Sequence, residues 1–410
     1  MRIVLVTQYF WPEVGATQAR LDAVSRELAD MGHQVDVVTA MPSYPTGRIA
    51  PGYRGRLRLD ERRGDVAVHR VWAYAATGMG LRRVASFLSF ACTSLVAARG
   101  LPRPDVIVVE SPPPSTMFPA AVAASWWRVP IVLYVADLWP DPATATSLQP
   151  RGAMAWLARS IMDRALARAS MVTAATDGLA SAIRARGIGA DRVLMLTNGV
   201  DTVTFAPAPP DLSLRDELGL APDDAVVLYA GTIGYVHGVD VAISAMALLA
   251  AERPDIVLVV VGDGSEAPRV RSLVRRAGLT NVRSVPPVQP DKLAAYWSIA
   301  TIGLSTLRDV PVAEVTRPAK VLAAMASGVP VIYTGAGEGA RIVVDMEAGW
   351  VVPPEDPAAL ASAMVNLVDD PTTRERLGRN GRRAAEETFA WPALVTTWFQ
   401  QISTALEGRR

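Results

Sequence analysis

Two cations at the start of a helix give the clearest chemical signal in the chain. Arg317-Pro-Ala-Lys320 stands just before the apolar run Val321-Leu-Ala-Ala-Met-Ala326, which Gly328 closes. Pro318 suits the first helical position, because its ring fixes φ and its missing N–H would have no partner there. The free N–H groups of a helix start carry about half a unit of positive charge, to which Arg317 and Lys320 add two full charges. The pattern describes an anion site, best read as a phosphate site, although a solvated basic surface has the same composition. Lysine is the rare cation here, since Lys292 and Lys320 are the only two in the sequence.

The elements that must position this segment are a strand before it, Ala300 to Ser305, and a strand after it, Val329 to Tyr333. In an open parallel sheet ligands bind at the carboxyl ends of strands, where a loop feeds a helix, and that points to the loop from Thr306 to Arg317. The chain opens in the same style. Strand Ile3 to Thr7, a long loop, helix Gln18 to Met31 and strand Gln34 to Thr39 form a βαβ unit, and Gly15 is either a point of close approach to a ligand or a plain turn glycine. Further Val/Ile-rich strands follow at Val66 to Val71, Val106 to Val109, Ile131 to Val135, Met171 to Ala174 and Val193 to Leu196. After the Pro-rich stretch Ala206 to Asp211, a second α/β unit carries strands Val226 to Ala230, Ile256 to Gly262 and Val282 to Val285 before the two already named. The expectation is an α/β chain of two doubly wound, Rossmann-like domains facing across a cleft. The first spans 1–200, with a C-terminal helix at about 392–410 packing back on it, and the second spans 201–391.

Composition narrows the function classes. At 410 residues the chain exceeds one ordinary core, and with half its residues apolar and a net charge of +1 it has neither the profile of a disordered protein nor that of a nucleic-acid binder. Cys92 is the single cysteine, which excludes an intrachain disulfide and a cysteine-built metal site. His33 is expected to satisfy turn backbone and His69 to face solvent. The scattered histidines give no metal-ligand spacing, so no metal cofactor is expected. The first apolar run is too short for a secretion signal, and the tract Val84 to Ala98 is too short to span a bilayer, which suits a cytoplasmic protein. Gly78 to Phe90, read as a helix, places Leu81, Val84 and Leu88 on one face with Cys92, beside Arg82 and Arg83, so peripheral contact with the inner face of the cell membrane stands beside a core-helix reading.

Asn198-Gly-Val-Asp201, followed by Phe205 and Pro207, resembles the linker signature of retaining glycosyltransferases of family 4, which have the GT-B fold. The Gly15 loop, Gly32-His33-Gln-Val-Asp-Val-Val-Thr39, Gly231, Gly262-Asp-Gly264, Ala324-Met-Ala-Ser-Gly-Val-Pro-Val331, Ala348-Gly349 with Val351-Val-Pro353, and Trp391 extend the likeness along the whole chain. Tyr9-Phe-Trp-Pro-Glu13, Pro45-Thr-Gly47, Arg70-Val-Trp72, Ser111-Pro-Pro113 and Asp137-Leu-Trp-Pro140 resemble the branch that includes N-acetylfucosamine transferases of bacterial surface-polysaccharide assembly. A dehydrogenase-type GxGxxG is missing after the first strand.

The resemblance implies transfer of a sugar, with retained anomeric configuration, from a nucleotide diphosphate donor on the second domain to a hydroxyl acceptor, free or lipid-linked, on the first. The acceptor attacks the face from which the diphosphate leaves, and the diphosphate helps to take its proton. Where family members carry an Arg and a Lys for the diphosphate, this chain has Thr232 and His237, and where they carry two glutamates seven residues apart it has Val315, next to Glu314, and Ala323. Lys320 and Arg317 are then the substitute cations. Gly15, Gly231, Gly262, Gly264 and Val288 complete the donor-binding set, and Glu314 is assigned to the sugar hydroxyls. Asp137 falls where many members have a histidine near the reaction centre; it could orient the acceptor or stabilise an oxocarbenium ion, or simply cap the next turn. Glu13 and Arg20 are acceptor-side candidates or surface residues. Ala323 accepts no hydrogen bond from a ribose, which admits a dTDP-sugar beside a UDP-sugar. Two rival readings remain: a nucleotide-sugar 2-epimerase, which would need clustered acid/base groups in the cleft, and a degenerate, non-catalytic homologue serving as a partner subunit.

Overall fold

The computed structural model describes all residues except 14, 45, 77–79, 112, 139–152 and 408–410. Pro45, Pro112 and Trp139-Pro140 of the family motifs, and Gly78 and Met79 of the amphipathic segment, lie outside the described residues. The chain divides into two compact units, Met1–Asn198 with Trp391–Arg410, and Gly199–Ala390.

The first unit runs β1 (Arg2–Val6), α1 (Ala16–Asp30), β2 (Gln34–Ala40), β3 (Arg58–Arg63), β4 (Val66–Val71), α2 (Leu81–Arg99), β5 (Val106–Ser111), α3 (Met117–Trp127), β6 (Ile131–Val135), α4 (Ala153–Arg168), β7 (Met171–Ala174), α5 (Asp177–Ala185) and β8 (Val193–Met195). The second contains α6 (Leu212–Glu217), β9 (Ala225–Ala230), α7 (Val239–Leu249), β10 (Ile256–Val261), α8 (Ala267–Arg276), β11 (Val282–Val285), α9 (Pro290–Ser298), β12 (Ile302–Thr306), α10 (Ala319–Ala326), β13 (Val331–Thr334), α11 (Gly337–Asp345), β14 (Gly349–Val352), α12 (Pro357–Asp369) and α13 (Pro371–Glu387). The last helix, α14 (Trp391–Glu407), belongs to the first unit again.

Both units are doubly wound. The first sheet has the order β3-β4-β2-β1-β5-β6-β7-β8 and is parallel except for β3 against β4, while the second, β11-β10-β9-β12-β13-β14, is parallel throughout. Strand order reverses between β1 and β5 in the first sheet and between β9 and β12 in the second, and such reversals open a crevice at the strands' carboxyl ends. Central strands such as Val226–Ala230 are buried on both faces, which is why they read as unbroken apolar runs. Strand β3 departs from the sequence expectation. Arg58-Leu-Asp-Glu-Arg-Arg63 has no apolar alternation because it is an antiparallel edge strand whose charged side chains meet β4 and solvent.

Helix starts follow the local chemistry. Thr176, Asp356 and Asp370 cap α5, α12 and α13 by accepting the backbone N–H three residues on, and Pro357 and Pro371 occupy the positions whose N–H has no partner. In α10 Pro318 is the cap residue itself, with extended ψ, so the helix begins at Ala319, one residue later than the sequence suggests. Gly328, at φ 71°, takes the left-handed turn that ends it, and Val329 N–H returns to Ala324 O at 2.9 Å.

Candidate functional site

At the β9/β12 reversal, Lys320 projects from the first turn of α10 towards the turn after β9. Its ammonium lies 4.6 Å from the centroid of the Tyr229 ring, and a Cβ built on Gly231 would sit 3.0 Å from Lys320 Cε. Glycine at 231, with φ 149°, therefore leaves the lane in which the lysine lies. No carboxylate among the described residues pairs with Lys320, and burial pushes its amine down to about 8. His237 stands beside it. Burial first, and then the Lys320 charge, push the imidazole down to about 3, so His237 is neutral at physiological pH and supplies no second cation. Its backbone oxygen accepts from Thr306 Oγ1 at 2.5 Å, which ties the turn to the end of β12. Thr232 is exposed, and its carbonyl accepts from Tyr229 Oη at 2.6 Å.

Gly262 and Gly264 have a role that the sequence did not disclose. A Cβ on Gly262 would lie 1.9 Å from Gly231 O, and one on Gly264 would lie 2.4 Å from Ile233 O. Their missing side chains let the ends of β9 and β10 close on each other, sealed by Gly231 N–H to Val261 O and Ile233 N–H to Asp263 O, each 2.9 Å. Beside this seam a cavity of about 250 Å³ is lined by Ile233, Gly262, Val270, Arg271, Ser284 and Pro286 among others. Val288 is outside that lining and packs, partly buried, on the apolar core.

Two further donor-side candidates, Arg317 and Glu314, stand in different surroundings. Arg317 is ion-paired: its Nε donates to Glu338 Oε2 at 2.6 Å, and Glu338, in the first turn of α11, is only 2% exposed. A buried carboxylate demands a partner, and Arg317 is that partner. Glu314 is exposed in the short 3₁₀ segment Pro311–Val315, and its backbone presses on Gly337, where a Cβ would come within 2.3 Å of Glu314 Cα. The methyl of Ala323 is buried in the unit's core.

In the first unit the β1/β5 reversal carries a different constellation. Glu110, at the carboxyl end of β5, is 1% exposed; its Oε1 accepts from Arg20 Nη2 at 3.2 Å and its Oε2 from Thr7 Oγ1 at 2.8 Å. Burial pushes the Glu110 carboxyl up to about 7, against the pull of Arg20. Arg20 is itself buried, donates to Asn198 Oδ1 at 3.0 Å and lies 4.8 Å over the Tyr134 ring, so it is neither a surface residue nor a free acceptor-side cation. Glu13 is likewise occupied, since its Oε1 accepts the N–H groups of Ser43 and Tyr44 at 2.7 and 2.8 Å, and burial raises its carboxyl. Gly15 caps α1 in extended backbone, and the Gln18 amide fills the space above it. Asp137 follows β6, partly buried, at the carboxyl edge of the same sheet.

The histidines outside the sites differ from expectation. His33 Nδ1 lies 3.3 Å from the N-terminal amine rather than on turn backbone, and its ring packs on Phe399. His69 does not face solvent: it bridges Asp60 at 2.8 Å and Asp36 at 3.0 Å, and the Asp36 bond, against the opposing effect of burial, raises its pKa. Among the described residues no group of three or more His, Cys, Asp or Glu is arranged to hold a metal ion.

Glu110 is the residue that sequence reasoning missed. The available signal was an acid at the carboxyl end of an otherwise Val/Ile strand, which a buried parallel strand admits only with a partner.

Residues 15–199 match the family described as Glycosyl transferase 4-like domain, and residues 212–384 match Glycosyl transferases group 1. Among curated proteins, the D-inositol 3-phosphate glycosyltransferase 2 of Catenulispora acidiphila is 27% identical over 97% of this chain and 92% of its own. The D-inositol 3-phosphate glycosyltransferase of Streptomyces avermitilis is 30% identical over 53% of this chain and 48% of its own. The sucrose-phosphate synthase of Thermosynechococcus elongatus superposes over 100% of both chains with a TM-score of 0.76 at 21% identity. Anabaena HepE in complex with UDP-glucose superposes over 98% of this chain and 100% of its own with a TM-score of 0.74 at 18% identity. These likenesses place the fold among GT-B structures.

Proposed function

The chain is a glycosyltransferase built from a 4-like domain and a group 1 domain, and on that premise we propose that it transfers a hexose from a UDP- or dTDP-sugar to a neutral hydroxyl with retained anomeric configuration. The observation that carries this reading is Lys320, a cation without a carboxylate partner among the described residues, at the start of α10 and against the Gly231 turn. A helix N-terminus and an uncompensated ammonium together stabilise the negative charge that develops on a departing diphosphate. The cavity beside the Gly231–Gly262 seam, with Arg271 and Ser284 in its wall, would take the base. The acceptor hydroxyl would attack the face from which the diphosphate leaves and pass its proton to it, with Asp137 orienting that hydroxyl.

The state of the first unit favours an uncharged acceptor group. Arg20 is spent on Glu110, and Arg70, fully buried, is spent on Glu61 and the carbonyls of Trp11 and Ala40. An inositol phosphate, the group in the curated relatives' names, would call for a cation, and both of these arginines are already paired with a carboxylate. A hydroxyl of a lipid-linked or polysaccharide intermediate, as in the N-acetylfucosamine branch, suits the residues better.

NMR of the purified chain with a panel of UDP- and dTDP-hexoses tests the reaction: release of nucleoside diphosphate with the donor's configuration kept in the product supports it. No turnover of any donor would support the non-catalytic alternative, and an inverted product would reject retention. With Ala323 in the core, calorimetry should give UDP and dTDP affinities within about tenfold; UDP tighter by more than that, about 1.4 kcal/mol, rejects the deoxynucleotide reading.

A further inference from the structure

We propose that the outward face of α2, α3 and α4 docks this protein on an anionic lipid bilayer. Helix α2 buries Ser86, Phe90, Ser94, Ala97 and their neighbours in the first unit, and turns Leu81, Val84, Leu88, Cys92 and Val96 to solvent. Leu81 is 87% exposed and Val96 71%, at opposite ends of a row that repeats every three to four residues, the spacing of one helix face. Helix α3 packs beside α2 and adds exposed Phe118 and Trp126, with Arg99 of α2 lying 4.6 Å over the Trp126 ring. From α4, Arg168 donates to Ser125 of α3 at 2.9 Å, and Trp156, 70% exposed, continues the surface with Leu157 and Ile161. Single exposed apolar residues are ordinary; a row shared by three adjoining helices marks a contact surface.

Charge selects the occupant. The three helices carry the exposed Arg82, Arg99, Arg159, Arg164 and Arg168, with Arg83 engaged by Tyr9, Phe87 and the Ala76 carbonyl, against one acid, Asp163, which is paired with Arg186 at 2.9 Å. In a twofold pair of copies these arginines would face arginines, a costly juxtaposition, whereas anionic headgroups complement them. Helix α2 is long and apolar enough by composition to cross a membrane, but its inner row is part of the first unit's core, so it lies in the interface plane instead of spanning.

Cys92, the sole cysteine, sits exposed in the middle of the row and allows a unique label. The test uses the full chain with an environment-sensitive fluorophore on Cys92, together with unlabelled chain in a sedimentation assay. Vesicles are phosphatidylcholine alone or with about one-third phosphatidylglycerol. The expected result is co-sedimentation and a blue-shifted label with the anionic vesicles, both weakened about tenfold or more by the pair Leu88→Glu and Val96→Glu, by the pair Arg82→Glu and Arg99→Glu, and by high salt. Should the glutamate pair melt early, Leu88→Ser with Val96→Ser replaces it. Failure of the unlabelled chain to co-sediment, binding that the Leu88 and Val96 changes leave intact, or a vesicle-free dimer that shields Cys92 would each overturn the proposal. The assay reads binding alone, so it stands or falls separately from the proposed reaction.

Discussion

Arg20 and Lys320 each stand on a helix beside the point where strand order reverses, Arg20 after β1 and Lys320 after β12, and their electrostatic surroundings are opposite. Arg20 is paired with buried Glu110 and donates from Nη1 to Asn198, while Lys320 faces an aromatic ring, a glycine and a neutral imidazole. The first unit uses its cation to hold its own strand ends together, and the second keeps one available for an anion.

Breaking the compensated pair should have the largest effect. Glu110→Ala leaves Arg20 buried without its carboxylate and is expected to cost about 3–5 kcal/mol of stability, read from the denaturant midpoint. Glu110→Gln, whose amide still accepts from Thr7, should cost less. A loss of less than about 1 kcal/mol in both variants would show that the charge pair does not matter.

Lys320→Ala should do the reverse: stability equal to or above the parent's, because a cation disfavoured by burial is removed, but about 1.5–3 kcal/mol lost from nucleoside diphosphate binding by calorimetry. Unchanged affinity would move the phosphate site elsewhere.

A pH titration sharpens the contrast. A bound diphosphate favours the charged amine, so affinity should hold steady below about pH 8 and weaken as pH rises beyond it, by at most about tenfold per unit, while Lys320→Arg should flatten the profile. A parent profile already flat between pH 7 and 9 would remove Lys320 from the interaction.

The smallest effect belongs to the compensated, half-exposed bridge of His69. Its folded-state pKa is raised, so its contribution is complete below about pH 6.5 and lost as pH rises through the folded value; it amounts to less than about 1 kcal/mol because Asp60 is half exposed. His69→Asn should bring the melting temperatures at pH 6 and pH 8 closer together, and an unaltered difference would dismiss the bridge.

The fold class was legible because parallel strands buried on both faces announce themselves as Val/Ile runs, whereas charged β3 sends no such signal. Lys320 stood out through the rarity of lysine and its place after Pro318. Arg317 looked equivalent, since the carboxylate that pairs with it, Glu338, lies 21 residues away on another helix. Glu110 and Arg20 are 90 residues apart, and the partners of His69 come from two neighbouring strands. Charge type and local spacing are written in the sequence; which charges cancel is decided by topology.

The return of α14 to the first unit governs the order in which the molecule can be made. Trp391, Val395, Trp398, Phe399 and Ile402 belong to the core of the first unit, and Trp398 Nε1 donates to Thr173 Oγ1 on β7 at 2.9 Å. During synthesis these residues leave the ribosome after the whole of the second unit, so the half begun first is completed after the half begun second. The second unit, continuous from Gly199 to Ala390, has its whole sequence available earlier, and the nascent first unit carries an open apolar groove until the final helix arrives to close it.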